Sequence, residues 1–149
     1  MRAVLQRVRS ASVAVDDRLV GEIGAGLVVL LGIGIGDTDL DLDYIVDKTA
    51  AVRVFADAGG RMTMDLQAAG GALLVVSQFT LYGDCRKGRR PSWDAAAAPA
   101  DAEAFYERAL ARWRALGVPV QAGVFRADMQ VTLVNDGPVT LLLDSRRQF

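Results

Sequence analysis

Five consecutive apolar residues, Leu27-Val28-Val29-Leu30-Leu31, lie between two glycine-rich breaks, Gly24-Ala25-Gly26 and Gly32-Ile33-Gly34-Ile35-Gly36. The run is short and uniformly apolar, which reads as a central strand buried on both faces. The segments around it have other periods. Residues 2–8, 11–15 and 18–23 are short Val- and Ile-rich runs, the patterning of half-buried antiparallel strands, the last two joined by a turn at Asp16-Asp17. After Asp37-Thr38 the period becomes helical. Over 39–56, Leu42, Ile45, Val46, Thr49, Val52 and Ala56 share one face, with Asp37 or Thr38 as the cap and Asp57-Ala58-Gly59-Gly60 as the stop.

Gly70-Gly71 introduces another buried strand, 72–77, and 84–100 is a long polar, alanine-rich connection with Pro91 and Pro99. A second amphipathic helix spans 101–116, with Ala102, Phe105, Tyr106, Ala109, Leu110, Trp113 and Leu116 as its buried stripe, Asp101 as cap and Gly117 as stop. Strands at 119–125, 129–134 and 139–143 complete the chain. There is no repeat, heptad seam or linker. The pattern predicts one α+β domain over 1–149, with mostly antiparallel sheets curling into a barrel-like core and two main helices packed outside.

Composition narrows the chemistry. With 149 residues, 52% of them hydrophobic, the chain can bury a core without a disulfide or metal clip. It has no His and a single Cys, Cys85. A Ser-His-Asp or Cys-His constellation, a His/Cys zinc site and an intrachain disulfide are all excluded within one chain. No cofactor or metal is expected. Seventeen basic and eighteen acidic side chains leave a net charge of -1, so any nucleic-acid contact must be local. Arg7 and Arg9 interrupt the start where a signal peptide needs an apolar core, and the longest apolar stretch, Leu27 to Ile35, is too short to span a bilayer. These features predict a soluble cytoplasmic protein with no membrane partner.

Five motifs carry candidate chemistry. The Gly32–Gly36 segment lacks the further Gly of a dinucleotide fold and the Gly-Lys-Ser/Thr of a P-loop, so it reads as a flexible strand-to-helix connection. The run Asp37, Asp39, Asp41, Asp43, Asp47 lacks the Gly and closing Glu of a calcium loop and reads as a solvated helix face. Arg86-Lys87-Gly88-Arg89-Arg90 is the one dense positive cluster; it is either a solubilising loop or a set of RNA phosphate contacts. Ser77-Gln78-Phe79-Thr80-Leu81-Tyr82-Gly83 ends a buried strand, where polar side chains either satisfy local backbone or hold a small substrate. Asn135-Asp136-Gly137-Pro138 reads first as a turn between two strands. Its Gly-Pro bond admits a second reading, since a cis bond turns neighbouring carbonyls to one side, where they could receive an ammonium group.

Taken together, Gln6-Arg7-Val8, Ala11-Ser12-Val13, Gly21 to Leu27, Ser77-Gln78-Phe79-Thr80-Leu81, Arg90-Pro91-Ser92, Asp128-Met129-Gln130-Val131 and Leu133 to Thr140 resemble the D-aminoacyl-tRNA deacylases of the D-tyrosyl-tRNA deacylase type. The matches run in order from residue 1 to about 144, and the tail Ser145–Phe149 lies beyond them as a variable segment with no assigned role. The resemblance implies an enzyme that removes D-amino acids, and glycine, wrongly esterified to tRNA. It implies a homodimer with the active site at the subunit interface. Ser77, Gln78, Phe79 and Thr80 of one chain would line that site, and a cis Gly137-Pro138 pair would enter from the other. Arg7 would fix the Gly-Pro loop, and Phe125 and Met129 would line the pocket for the terminal adenosine. Arg86, Lys87, Arg89 and Arg90 stay candidates for tRNA phosphates. The alternative from another class is a noncatalytic nucleic-acid-binding module on the same scaffold. A small esterase using Ser77 or Thr80 would need a base the chain does not show.

Overall fold

The computed structural model describes residues 1–149. Its elements are β1 (Arg2–Val15), β2 (Arg18–Ile23), β3 (Gly26–Gly32), α1 (Asp39–Ala51), β4 (Phe55–Ala56), β5 (Met62–Met64), β6 (Ala72–Ser77), a 3-10 turn (Phe79–Tyr82), α2 (Pro99–Ala115), β7 (Val120–Ala122) and β8 (Gln130–Asp144). Six strands form one sheet in the order β2-β1-β3-β6-β7, with β8 on the other edge of β1, and the sheet nearly closes into a barrel. A small β4–β5 hairpin stands apart. The α+β architecture expected from the patterning is the one found.

β1 pairs antiparallel with β2, β3 and β8, whereas β3–β6 and β6–β7 are parallel. The parallel part was not expected from the hairpin-like spacing. Its cause is topological: α1 with the β4–β5 hairpin carries the chain from β3 to β6, and α2 carries it from β6 to β7, and such crossovers return strands in the same direction.

Two expected breaks do not exist. Residues 2–8 and 11–15 are one strand, because β1 changes partners without stopping: residues 2–8 pair with β3 and 11–15 with β2. Likewise 129–134 and 139–143 belong to one fifteen-residue β8, and Asn135–Pro138 is not a hairpin turn. The register jumps from Gln6↔Thr140 to Val8↔Asn135, two residues of β1 against five of β8. The surplus bulges out at Asp136–Val139. Asp16 and Asp17 make the one true hairpin turn of this region, both with positive φ.

The central apolar run is buried as its pattern required. Leu27, Val29 and Leu31 face a large core shared with Leu42, Ile45, Tyr106 and Trp113 of the helices; Val28 faces a second cluster with Val8, Val13, Ile23 and Leu74. Helix α1 buries Leu42, Ile45, Val46 and Thr49 but stops at Ala51, short of the expected residue 56. The β-branched Val52 and Val54 favour extended backbone, and the Val54 carbonyl is taken by the Arg7 guanidinium. Helix α2 starts at Pro99, earlier than Asp101, since proline at the first helical position loses no needed N–H. The strand expected over 119–125 shortens to Val120–Ala122.

The acidic run divides. Thr38 is the α1 cap residue, and Asp41 accepts hydrogen bonds from its N–H and its hydroxyl, both at 2.8 Å. Asp39 and Asp43 face Arg108 and Arg112 of α2. Asp37 is not solvated. Its buried carboxylate meets the Met1 ammonium at 2.8 Å, the Gly34 N–H at 2.7 Å and Arg146 at 3.0 Å. The tail is docked as well: Ser145 Oγ accepts from Met1 at 2.6 Å and donates to Asp41 at 2.6 Å, and Gln148 and Phe149 hold Arg2.

The Gly32–Gly36 segment is pinned rather than flexible. Ile35 N–H donates to Ala95 and Ala97 N–H to Ile33, at 3.1 and 3.0 Å. A Cβ on Gly34 would stand 2.6 Å from the Tyr82 ring, so glycine here lets the 3-10 turn lie against the sheet.

Two outcomes follow from this packing. Gly34→Ala should lower unfolding stability by about 1–3 kcal/mol, the cost of forcing a methyl into a filled contact, whereas Gly24→Ala, with nothing within 4 Å of its Cβ, should change the urea midpoint little. Partial burial raises the Asp41 pKa, but the hydrogen bonds from Ser145 and Thr38 and the Met1 ammonium outweigh it and hold the carboxyl at about 2. A depressed folded-state pKa stabilises above the unfolded value of about 3.9 and loses that contribution as pH falls toward 2. Unfolding free energies from urea titrations between pH 5 and 2 should therefore fall less steeply in Asp41→Asn, by about 2 kcal/mol over the range.

Candidate active site

Strand β6 is parallel to β3 and buried to Val76, so its C-terminal end delivers Ser77 and Gln78 to one end of the sheet. The chain then tightens into the 3-10 turn, on which Phe79 and Thr80 are exposed. A cleft of about 690 Å³ opens there. Ser77, Gln78 and Phe79 line it from the end of β6 and the turn after it, Phe125 and Met129 from the loop before β8, and Trp93 with the small residues Ala96–Pro99 from the connection into α2.

The supports are specific. Tyr106, fully buried on α2, donates its hydroxyl to the Val75 carbonyl at 2.9 Å and packs at a tilt against Phe125, ring centroids 6.0 Å apart. Burial, and after it the Glu107 charge, push the Tyr106 hydroxyl far up, so it stays a donor at any working pH. Met129 lies over Gly123, where a Cβ would fall 2.6 Å from its sulfur. Tyr82 closes the back of the turn and is likewise kept protonated, mainly by burial and then by Asp37.

The turn also sets the site's donors. Gln78 N–H is used by Leu31, and the turn's own bonds begin with Leu81 N–H to Gln78 and continue with Gly83 N–H to Thr80. As the first two residues of the 3-10 turn, Phe79 and Thr80 have no carbonyl within the turn for their N–H groups to donate to. The Thr80 hydroxyl accepts from the side-chain amide of Gln78 and meets no carboxylate. The ionisable residues of the cleft are Arg126, in the left-handed region at φ 63°, and Asp128. No three His, Cys, Asp or Glu side chains converge as a metal-binding group.

A second group of expected site residues lies elsewhere. Arg7, on β1, sits opposite the β8 bulge. Its Nε donates to the Asp136 carbonyl at 3.1 Å and pairs with the Asp136 carboxylate at 3.4 Å, while Nη1 reaches Val54. This anchors Gly137-Pro138, whose peptide bond is cis and whose residues are exposed. Gly137 has φ 122°, and a Cβ there would stand 2.8 Å from Arg7 Nη2. Within one chain, neither Gly137 nor Pro138 nor Arg7 lines the cleft.

The basic cluster is a pinned loop. Asp84 and Ser92 exchange two backbone hydrogen bonds, at 2.9 and 3.1 Å, and close the segment between them. Arg86 folds back on Asp84 with bonds of 2.9 and 2.6 Å and holds that carboxyl down at about 2. One of the four expected cations is thus already neutralised; Lys87, Arg89 and Arg90 are exposed and unpaired. Sequence patterning missed Trp93 and Arg126 as cleft residues. Trp93 sat in a segment read only as a connection, and its signal was a large aromatic among alanines.

The description D-Tyr-tRNA(Tyr) deacylase belongs to the family profile that matches residues 4–144. A D-aminoacyl-tRNA deacylase of Desulfitobacterium hafniense is 56% identical over 149 residues, covering both chains completely. A solved structure described as c-Myc DNA Unwinding Element Binding Protein superposes with a TM-score of 0.92 at 40% identity, covering 97% of this chain and 98% of that one. A structure described as a probable eukaryotic D-amino acid tRNA deacylase shares the fold at a TM-score of 0.82 and 20% identity, over 95% and 97% of the two chains. By its full-length profile match and its full-length relatives, the chain belongs to the D-Tyr-tRNA(Tyr) deacylase family.

Proposed function

We propose that the protein hydrolyses the ester of D-aminoacyl-tRNA, and of glycine mischarged on tRNA, releasing the free amino acid and tRNA. The observation that carries this reading is the pair of Phe79 and Thr80 N–H groups, left without a carbonyl in their turn, beside an apolar cleft of nucleoside dimensions. Water attacks the ester carbonyl carbon, and charge develops on its oxygen. Two fixed N–H donors stabilise that charge without reorganising. The carbon–oxygen bond to the ribose then breaks, and the ribose oxygen takes the proton. The chain offers no His, so the neighbouring ribose 2′-hydroxyl positions the water. Thr80 acts through its backbone: its hydroxyl faces an amide and has no base to activate it.

Phe125 and Met129 form the apolar wall for the terminal adenosine. The α-ammonium is received by the Gly137 and Pro138 carbonyls of a partner subunit in a homodimer, with Arg7 holding that loop. The exposed bulge, the unpaired outer edge of β8 and the exposed Val134 and Leu142 support such an assembly. With ammonium and ester both fixed, a D-residue sends its side chain to solvent and an L-residue drives it into backbone. Rejection is then steric and independent of side-chain identity, and glycine cannot be rejected. No helix is long and apolar enough to cross a membrane, and we place the protein with its substrate in the cytoplasm.

A second reading, a noncatalytic nucleic-acid-binding module, draws on the name of the 40% identical structure and on the free cations Lys87, Arg89 and Arg90. Purified protein incubated with D-Tyr-tRNA and L-Tyr-tRNA, with metal chelated, separates the two. The first reading expects rapid loss of the D-ester alone; tRNA binding without loss of either ester would establish the second. In single-turnover assays Thr80→Ala should lose less than about tenfold, against the ~10²–10⁴-fold expected if its hydroxyl did the chemistry. Gly137→Ala should lose about 10²-fold, because a Cβ at φ 122° displaces Arg7 and with it the ammonium receptor.

A further inference from the structure

The chain has two tryptophans in opposite situations. Trp113 is fully buried on α2, and its indole N–H donates to Val46 at 3.2 Å. Trp93 lines the cleft, is 40% exposed, and its indole N–H bonds to nothing in the protein. It is nevertheless held rigidly. Phe79, itself 53% exposed, meets it edge-to-face at 5.3 Å, and Gly83 lies so close that a Cβ there would be 2.6 Å from the indole ring. A large aromatic exposed on a fixed support costs solvation and adds nothing to the core. Next to it in sequence is the loop closed by Asp84 and Ser92, with Lys87, Arg89 and Arg90 free of ion pairs.

Exposed aromatic faces beside unpaired cations are the composition of single-stranded nucleic-acid sites: rings stack bases and cations follow the phosphates. We infer that Trp93 is the stacking platform for the nucleotide preceding the terminal adenosine, and that Lys87, Arg89 and Arg90 take the phosphates leading away from it. The inference rests on the proposed deacylase reading, which places the esterified adenosine in the cleft. The strand must leave that cleft, and the aromatic pair lines it with partly exposed faces. Single-stranded RNA is the ligand this favours, because stacking reads any base and the cations need only a backbone.

The test compares two substrates that differ only in that preceding strand: D-Tyr-tRNA and D-tyrosyl-adenosine. Trp93→Ala should raise KM for D-Tyr-tRNA about tenfold beyond whatever change it causes on D-tyrosyl-adenosine, and Trp93→Phe should restore most of that tRNA-specific excess. Equal loss on both substrates would make Trp93 a support for Phe79 and overturn the inference, and so would no loss on either. A binding measurement does not depend on turnover. Since Trp113 is buried, Trp93 is the fluorophore a base can reach. Oligonucleotide CCA should quench its emission more strongly than adenosine does, and the quench should vanish in Trp93→Phe. A wild-type protein that shows this quench but cleaves neither ester would sink the deacylase reading and keep the platform. Absence of the quench would sink the platform whatever the activity.

Discussion

The pairing of β1 along both of its edges is the constraint from which the rest of the structure hangs. One edge takes β3 and then β2, and the other takes β8 over nearly its whole length. Because the first and last long strands are neighbours, the chain's two ends meet. Met1 reaches Ser145 and Asp37, and Arg2 reaches Asp144 and Gln148. Buried charge of this kind is tolerated only where it is paired, and the Met1 ammonium has two acceptors within 2.8 Å. The same pairing fixes the bulge. Five residues of β8 must span two residues of β1, so Gly137-Pro138 is driven outward opposite Arg7. A one-residue slip would turn every core side chain of β8 to the wrong face, so the bulge cannot be absorbed by sliding.

The second organising feature is the parallel edge of β3 against β6. It points the end of β6 and the turn after it toward one end of the sheet, where α2 begins. Core and site share residues here. Tyr106 is at once a core aromatic, a donor to β6 and a support for Phe125. The glycines serve the same purpose: Gly34 and Gly83 let Tyr82 and Trp93 approach backbone closely enough to clamp the 3-10 turn from two sides. Preorganised backbone donors need such clamping, since their value lies in not having to move.

Much of this was legible beforehand, and the misses share a cause. The buried run at 27–31, the stripe of α2 and the capped start of α1 are local patterns, and they held. Asn-Asp-Gly-Pro is turn chemistry locally, yet it lies inside a strand, because pairing to β1 outweighs the local preference. Val52 and Val54 left the helix for the same kind of reason, with Arg7 waiting for the Val54 carbonyl. Four cations in five residues looked equivalent until Asp84 claimed Arg86.

The amino-acid sequence by itself determined the buried strand at 27–31, the cores of the two helices, which side chains are apolar enough to be inside, and that no histidine takes part in the chemistry. It also singled out Ser77–Thr80 and Gly137-Pro138 as segments of interest, through their resemblance to the family's blocks rather than through their local chemistry. Only the tertiary structure decided the parallel direction of β6, the continuity of β8, the burial of Asp37 beside Met1, and the gathering of Trp93 with Phe79, Phe125 and Met129 around one cleft. The division follows from range. Periodicity and turn propensity act over a few residues, whereas direction, register and ion pairing are set between residues many tens of positions apart.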